Sequence, residues 1–144
     1  MINPINFKGV QIGREMKSMI PRKNNEEQPT GFYQVVNFLN RLDNFDFKIK
    51  KPDNHGVKVD TYDKSGRRIA TARIPIKRFA TDPKGVIGEI GVSVYSGHKI
   101  GKVIFTDMFE ASNKSADPDA AENAQTCNDY NDITPVDYYL KRGV

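Results

Sequence analysis

The stretch Val57–Ile76, reading VKVDTYDKSGRRIATARIPI, constrains the fold more than any other part of the chain. Two runs of alternating residues flank Asp63-Lys64-Ser65-Gly66, and Gly66 supplies the positive φ that a tight turn needs. The pattern predicts a β-hairpin whose first strand turns Val57, Val59 and Thr61 inward, answered by Ala70, Ala72, Ile74 and Ile76 on the second. Pro75 has no N–H to give to a ladder, so the second strand ends there or lies at a sheet edge. Further along, IGVSVY, Ser96-Gly97 and HKIGKVIF repeat the arrangement. They predict a second, similar hairpin over residues 89–95 and 99–106, covered in part on both faces.

An inward strand face needs a partner layer, and the sequence provides one just upstream. Phe32, Val35, Val36, Leu39 and Leu42 fall at helical spacing, which predicts an amphipathic helix over Gly31–Asp43. Gln34, Asn37, Asn40, Arg41 and Asp43 occupy its other side, Thr30 is placed to cap its start, and Asn44 suits its stop. Such a short helix is not stable alone and must lie on a sheet. Small Ala70 and Ala72 leave room for it. Between helix and hairpin, Phe45, Phe47 and Ile49 alternate with Asp46, Lys48 and Lys50, which predicts a strand with one buried and one solvated face. The expected fold is therefore α+β: one amphipathic helix packed on a twisted antiparallel meander of four to five strands. A small barrel or sandwich is the alternative.

The flanks read differently. Residues 1–29 are expected to be an N-terminal extension: a short strand through Ile5, Phe7, Val10 and Ile12, or a short helix through Ile12, Met16, Met19 and Ile20, then a polar linker. Residues 30–109 form the α+β body, with an irregular link over residues 77–88. Residues 110–144 are an acidic, largely flexible tail, because they carry too little apolar surface to offset their ordering entropy. Val136, Tyr138, Tyr139 and Leu140 near its end are read as a docking segment.

Charge follows the same division. The chain of 144 residues has a formal net charge of +4, concentrated in a basic body with the acidic tail beside it. The single cysteine, Cys127, excludes an intramolecular disulfide, and its polar surroundings contain nothing that would activate a thiol. The absence of a signal pattern or a long apolar run predicts a cytoplasmic protein without membrane contact, compatible also with signal-independent export. The Asn-, Ile- and Lys-rich composition points to an AT-rich bacterial or phage source.

No nucleophile elbow, phosphate-binding loop, HExxH motif or paired cysteine ligands occur. Gly85, Gly88 and Gly91 lack dinucleotide-loop spacing. Asp117, Asp119, Glu122, Asp129 and Asp132 are carboxylates of the kind calcium takes, but without the glycine and alternation of a calcium loop they read as a solvated tail. His55 and His98 fall in predicted turns. No cofactor or metal is expected.

The remaining candidate is a cluster of cations on the hairpin: Lys64, Arg67, Arg68, Arg73, Lys77 and Arg78, with Tyr62 on the solvent side beside them. The leading expectation is a small non-enzymatic binding or adaptor protein whose partner is another protein, acting through a sheet edge, the basic hairpin or the tail. The first alternative is a nucleic-acid-binding protein in which the cations follow phosphates and Tyr62 stacks on a base. The second is a small enzyme with a site near His98.

Overall fold

The computed structural model describes residues 9–96, 98–112 and 117–130. Strand β1 (Val10–Gly13) leads into a single turn, α1 (Arg14–Lys17), and then α2 (Thr30–Asn40). Strands β2 (Asp46–Asp53), β3 (Gly56–Tyr62) and β4 (Arg68–Ile74) follow. Helices α3 (Arg78–Thr81), α4 (Pro83–Val94), α5 (Lys99–Ser112) and α6 (Pro118–Glu122) come next, and β5 (Gln125–Cys127) closes the described chain. The fold is α+β, and the sheet has five strands in the order β4-β3-β2-β1-β5. Among the described residues no helix is long and apolar enough to cross a membrane.

The hairpin forms as its pattern requires. Gly66 adopts a φ of 86°, and Asp63 fixes the turn by accepting from the Ser65 and Arg67 amides at 2.9 and 3.0 Å. Val57 pairs with Ile74, Val59 with Ala72 and Thr61 with Ala70, which is the predicted inward set in register. Of these, Val57, Val59, Ala72 and Ile74, with Phe47 and Ile49 of β2 and Val10 and Ile12 of β1, form the sheet side of one apolar core, while Ala70 is half-buried.

The meander, however, accounts for only part of the sheet. β2, β3 and β4 are antiparallel, but β1 lies parallel to β2 and β5 parallel to β1. A parallel pair needs a crossover connection, and residues 14–45 with α2 supply it. The segment expected to be an N-terminal extension thus contributes an interior strand, and Ile12 and Met16 are fully buried. Ile5 and Phe7 lie outside the described residues.

α2 starts one residue earlier and ends three residues sooner than the pattern predicts. Pro29 occupies the N-cap without a side-chain bond, and the Thr30 hydroxyl donates back to the Gln28 carbonyl at 3.5 Å rather than capping. The helix closes through the Arg41 amide on the Phe38 carbonyl, so Asn44 plays no part. Asn40, Arg41 and Asp43 of its polar side are exposed as expected, but Asn37 is buried and the neighbouring surface is covered. Phe38 meets Phe105 and Phe109 edge-on at 5.9 and 5.7 Å, Asn37 donates to the Asp117 carbonyl, and the Tyr33 hydroxyl donates to Glu122. α2 is therefore held between the sheet and further helices, and α4 rather than α2 lies against β4.

Those further helices replace the predicted second hairpin. Residues 83–94 and 99–112 form an antiparallel helical pair, so the two hairpins are not a repeat. Asp82 caps α4 by accepting from the Gly85 amide at 3.0 Å, with Pro83 in the first turn. Val86, Ile87 and Ile90 face the core, as do Phe105 and Phe109 of α5. Gly91 and Gly101 permit the close crossing: a Cβ on either would collide with the other's carbonyl oxygen. Glycine and β-branched residues weaken an isolated helix, and here tertiary packing outweighs that preference. The link over residues 77–88 contains α3 and the start of α4 and is not irregular.

Residues 117–130 of the acidic region are likewise built into the fold. Asp117 caps α6, β5 joins the sheet, and the buried carboxylate of Asp129 accepts from the amides of Glu15, Met16 and Lys51. Asp132 and the docking segment Val136, Tyr138, Tyr139 and Leu140 lie outside the described residues.

Candidate functional site

Strand alternation sends Asp46, Lys48 and Lys50 of β2, Lys58, Asp60 and Tyr62 of β3, and Thr71 and Arg73 of β4 to the face opposite the core. The sequence pattern predicts a solvated face here, yet Lys50 and Asp60 are fully buried. Lys50 Nζ lies 3.0 Å from Asp60 Oδ2, Lys58 Nζ 3.8 Å from the same oxygen, and the Thr71 hydroxyl donates to Asp60 Oδ1 at 2.7 Å. Burial lowers the Lys58 pKa. Asp60 opposes that shift, while Lys50, Arg68 and Arg73 add to it. This network is an internal electrostatic brace. The signal for it was the opposite charges at Lys48, Lys50, Lys58 and Asp60 on facing strands, legible only once register is known.

Tyr62 belongs to this face and is only 3% exposed, with Lys48 Nζ 5.0 Å above its ring. It is not the exposed aromatic that the alternation suggested. Of the cations predicted beside it, Lys64, Arg73 and Arg78 are engaged by carboxylates of the described residues. Lys64 pairs with Asp46 at 3.3 Å, Arg73 with Asp53 at 2.9 Å, and Arg78 with Asp82 and Glu89 at 3.1 and 3.2 Å. Arg78 is turned away from the strand onto α4. Arg67 and Lys77 are exposed and Arg68 is half-buried.

The cations therefore do not converge on one point. Arg67 and Arg68 stand at the turn end of β4, and Arg73 and Lys77 at its other end, about 20 Å away for a strand of this length. They are set out along the length of β4, but the head of Arg73 reaches back across β3 to Asp53 of β2. Just past β4, Lys77 also borders a cleft of about 280 Å³ whose other lining residues include Arg22 and Lys23. Those two cations sat in the segment that polarity and prolines marked as linker, so sequence gave no reason to join them to the hairpin.

Two other candidates disperse. Asp117 caps α6, Glu122 accepts from the Tyr33 hydroxyl and Asp129 fastens backbone amides. Among the described residues no group of three His, Cys, Asp or Glu side chains is placed to hold a metal ion. The bond to Glu122, after burial, also raises the Tyr33 pKa. His98 is exposed in the turn between α4 and α5, and His55 is exposed between β2 and β3, so neither lies in the deep polar pocket that acid–base chemistry requires. Cys127 is half-buried on β5.

Comparison with protein-family models, with curated proteins and with solved structures finds no match to this chain.

Proposed function

We propose that this chain is a non-enzymatic binding protein that takes an extended acidic segment of another protein onto the outer edge of β4. The observation that carries the reading is the coincidence of two features on one strand. Among the described residues β4 is the last strand on its side of the sheet, and Arg67, Arg68, Arg73 and Lys77 are set along its length, with Arg73 engaged by Asp53. An edge strand leaves alternate backbone N–H and C=O groups unpaired, and an added strand satisfies them. Cations along that strand attract carboxylates and set the register of approach, in a salt-dependent way. Ile69, 40% exposed among them, adds an apolar contact. The cleft with Arg22 and Lys23 extends the positive charge beyond the strand.

Nucleic acid is the competing ligand for a row of cations. The burial of Tyr62 beneath Lys48 removes the stacking platform that a single strand would use, which favours the peptide. The test is anisotropy of a labelled short peptide of alternating Glu and Val, with a random single-stranded oligonucleotide in parallel. The peptide is expected to bind at low salt and to lose about tenfold in affinity or more when Arg67 and Lys77 are both changed to Glu. Preferential binding of the oligonucleotide would transfer the function to nucleic acid. If neither binds, the cations merely guard the edge against pairing.

A further inference from the structure

Helix α5 has two apolar faces, and the core uses only one. Gly101, Phe105 and Phe109 are buried against α4 and α2. On another side of the helix Ile100, Val103, Ile104 and Met108 are 65%, 55%, 38% and 44% exposed. Scattered exposed apolar residues are ordinary, but four on one helix face form a contiguous patch, and such a patch marks an interaction surface. We infer that this ridge packs antiparallel against the same ridge of a second copy of the chain, about a two-fold axis near Ile104.

Charge chooses the occupant and its direction. α5 has no acidic residue in its first turn and no basic residue in its last. Its charges are instead Lys99 and Lys102 near the start and Asp107 and Glu110 toward the end, opposed to its own dipole. The neighbouring α4 engages three of them: Lys84 pairs with Glu110 and attracts Asp107, and the Lys102 stem lies over Gly88. Lys99 and Asp107 remain exposed beside the ridge. In an antiparallel pair centred on Ile104, Lys99 of one copy falls within about 3 Å along the axis of Asp107 of the other. A parallel pair would set like charges together. Ile100, Ile104 and Met108 are spaced by four, the ridge that interdigitates with an identical ridge in the commonest helix–helix crossing. An isologous contact closes at two copies. One helix of this length offers a small interface, which places the association in the micromolar regime.

The test is sedimentation equilibrium of the full chain across the micromolar range. The mean mass is expected to rise from 16.3 kDa and level off at two chains. Ile104→Asp places two carboxylates face to face at the axis, so it is expected to raise the dissociation constant by about 100-fold or more. Ile104 is 38% exposed in the single chain, so this variant also loses packing of its own. Val103→Asp, at a ridge position 55% exposed, is the companion variant. It is expected to weaken the dimer as well, while the unfolding midpoint at low concentration stays close to wild type. Lys99→Asp is expected to weaken the dimer at low salt, and adding Asp107→Lys in the same chain to restore it. A single-chain mass throughout, growth beyond two chains, association indifferent to Ile104→Asp, or a charge exchange that fails to restore pairing would each overturn the inference. None of these outcomes touches the β4 edge, so the two proposals stand or fall separately.

Discussion

Replacing Asp60 by Asn removes one charge and almost no volume from the buried brace of the sheet. At an effective dielectric constant near 20, the 3.0 Å contact to Lys50 and the 3.8 Å contact to Lys58 attract by about 5 and 4 kcal/mol. Much of that gross attraction offsets the cost of burying the carboxylate, several kcal/mol that the neutral amide no longer incurs. Thr71 keeps an oxygen to donate to, so the hydrogen bond survives and the loss is one of charge. Taking one partner from a buried ion pair costs about 3–5 kcal/mol in general, and the shared carboxylate places Asp60→Asn in that range. Urea unfolding followed by far-UV circular dichroism measures it, with the slope of the transition checked against wild type to exclude a changed denatured state. Lys50→Met in the Asp60→Asn background should recover part of the loss. A single variant within about 1 kcal/mol of wild type, at unchanged slope, would refute the reasoning that this face is braced by charge.

Two further outcomes follow from the packing and the titrating groups. Gly91→Val drives a branched side chain into the Gly101 carbonyl, and overpacking of this kind costs about 1–3 kcal/mol; thermal unfolding measures it, and an unchanged midpoint would mean that the two helices are not in close contact. The bond from Arg73 and the His55 amide holds the Asp53 carboxyl below its ordinary pKa, and bonds from Ser65 and Arg67 do the same for Asp63. A folded-state pKa below the unfolded one gives stability that is fully present above the unfolded value and is lost as pH falls through the folded one. Stability should therefore decline from about pH 4 downward, and Asp63→Asn should flatten the decline. Equal slopes for the two proteins would contradict the assignment.

The parts of the fold legible in sequence are those in which local pattern and final environment agree. The hairpin carries its own turn chemistry at Asp63 and Gly66, and its strands keep one apolar face, so period and register both survive in the structure. α4 and α5 fail that condition. Their glycines serve contact between the two helices and weaken a local helix reading. Val86, Ile87 and Ile90 of α4 serve the core, while Ile100, Val103 and Ile104 of α5 stay exposed; such β-branched residues read locally as strand. Asp129 and β5 were hidden because their stability comes from partners more than seventy residues away: Lys51, Glu15 and Met16. A local reading of that polar run sees only the cost of ordering it. The site divides in the same way. The cations were legible, but their arrangement along β4 depended on the strand order, and Tyr62 was misplaced because the face it occupies is buried rather than solvated.

The most direct test of the proposed edge binding is hydrogen exchange of the backbone amides with and without the alternating Glu and Val peptide at saturation. The account predicts that, within Arg68–Ile74, the amides directed away from β3 gain protection, while those of the interior strand β2 do not change. Protection gained elsewhere with β4 unchanged, or binding without any new protection, would contradict it.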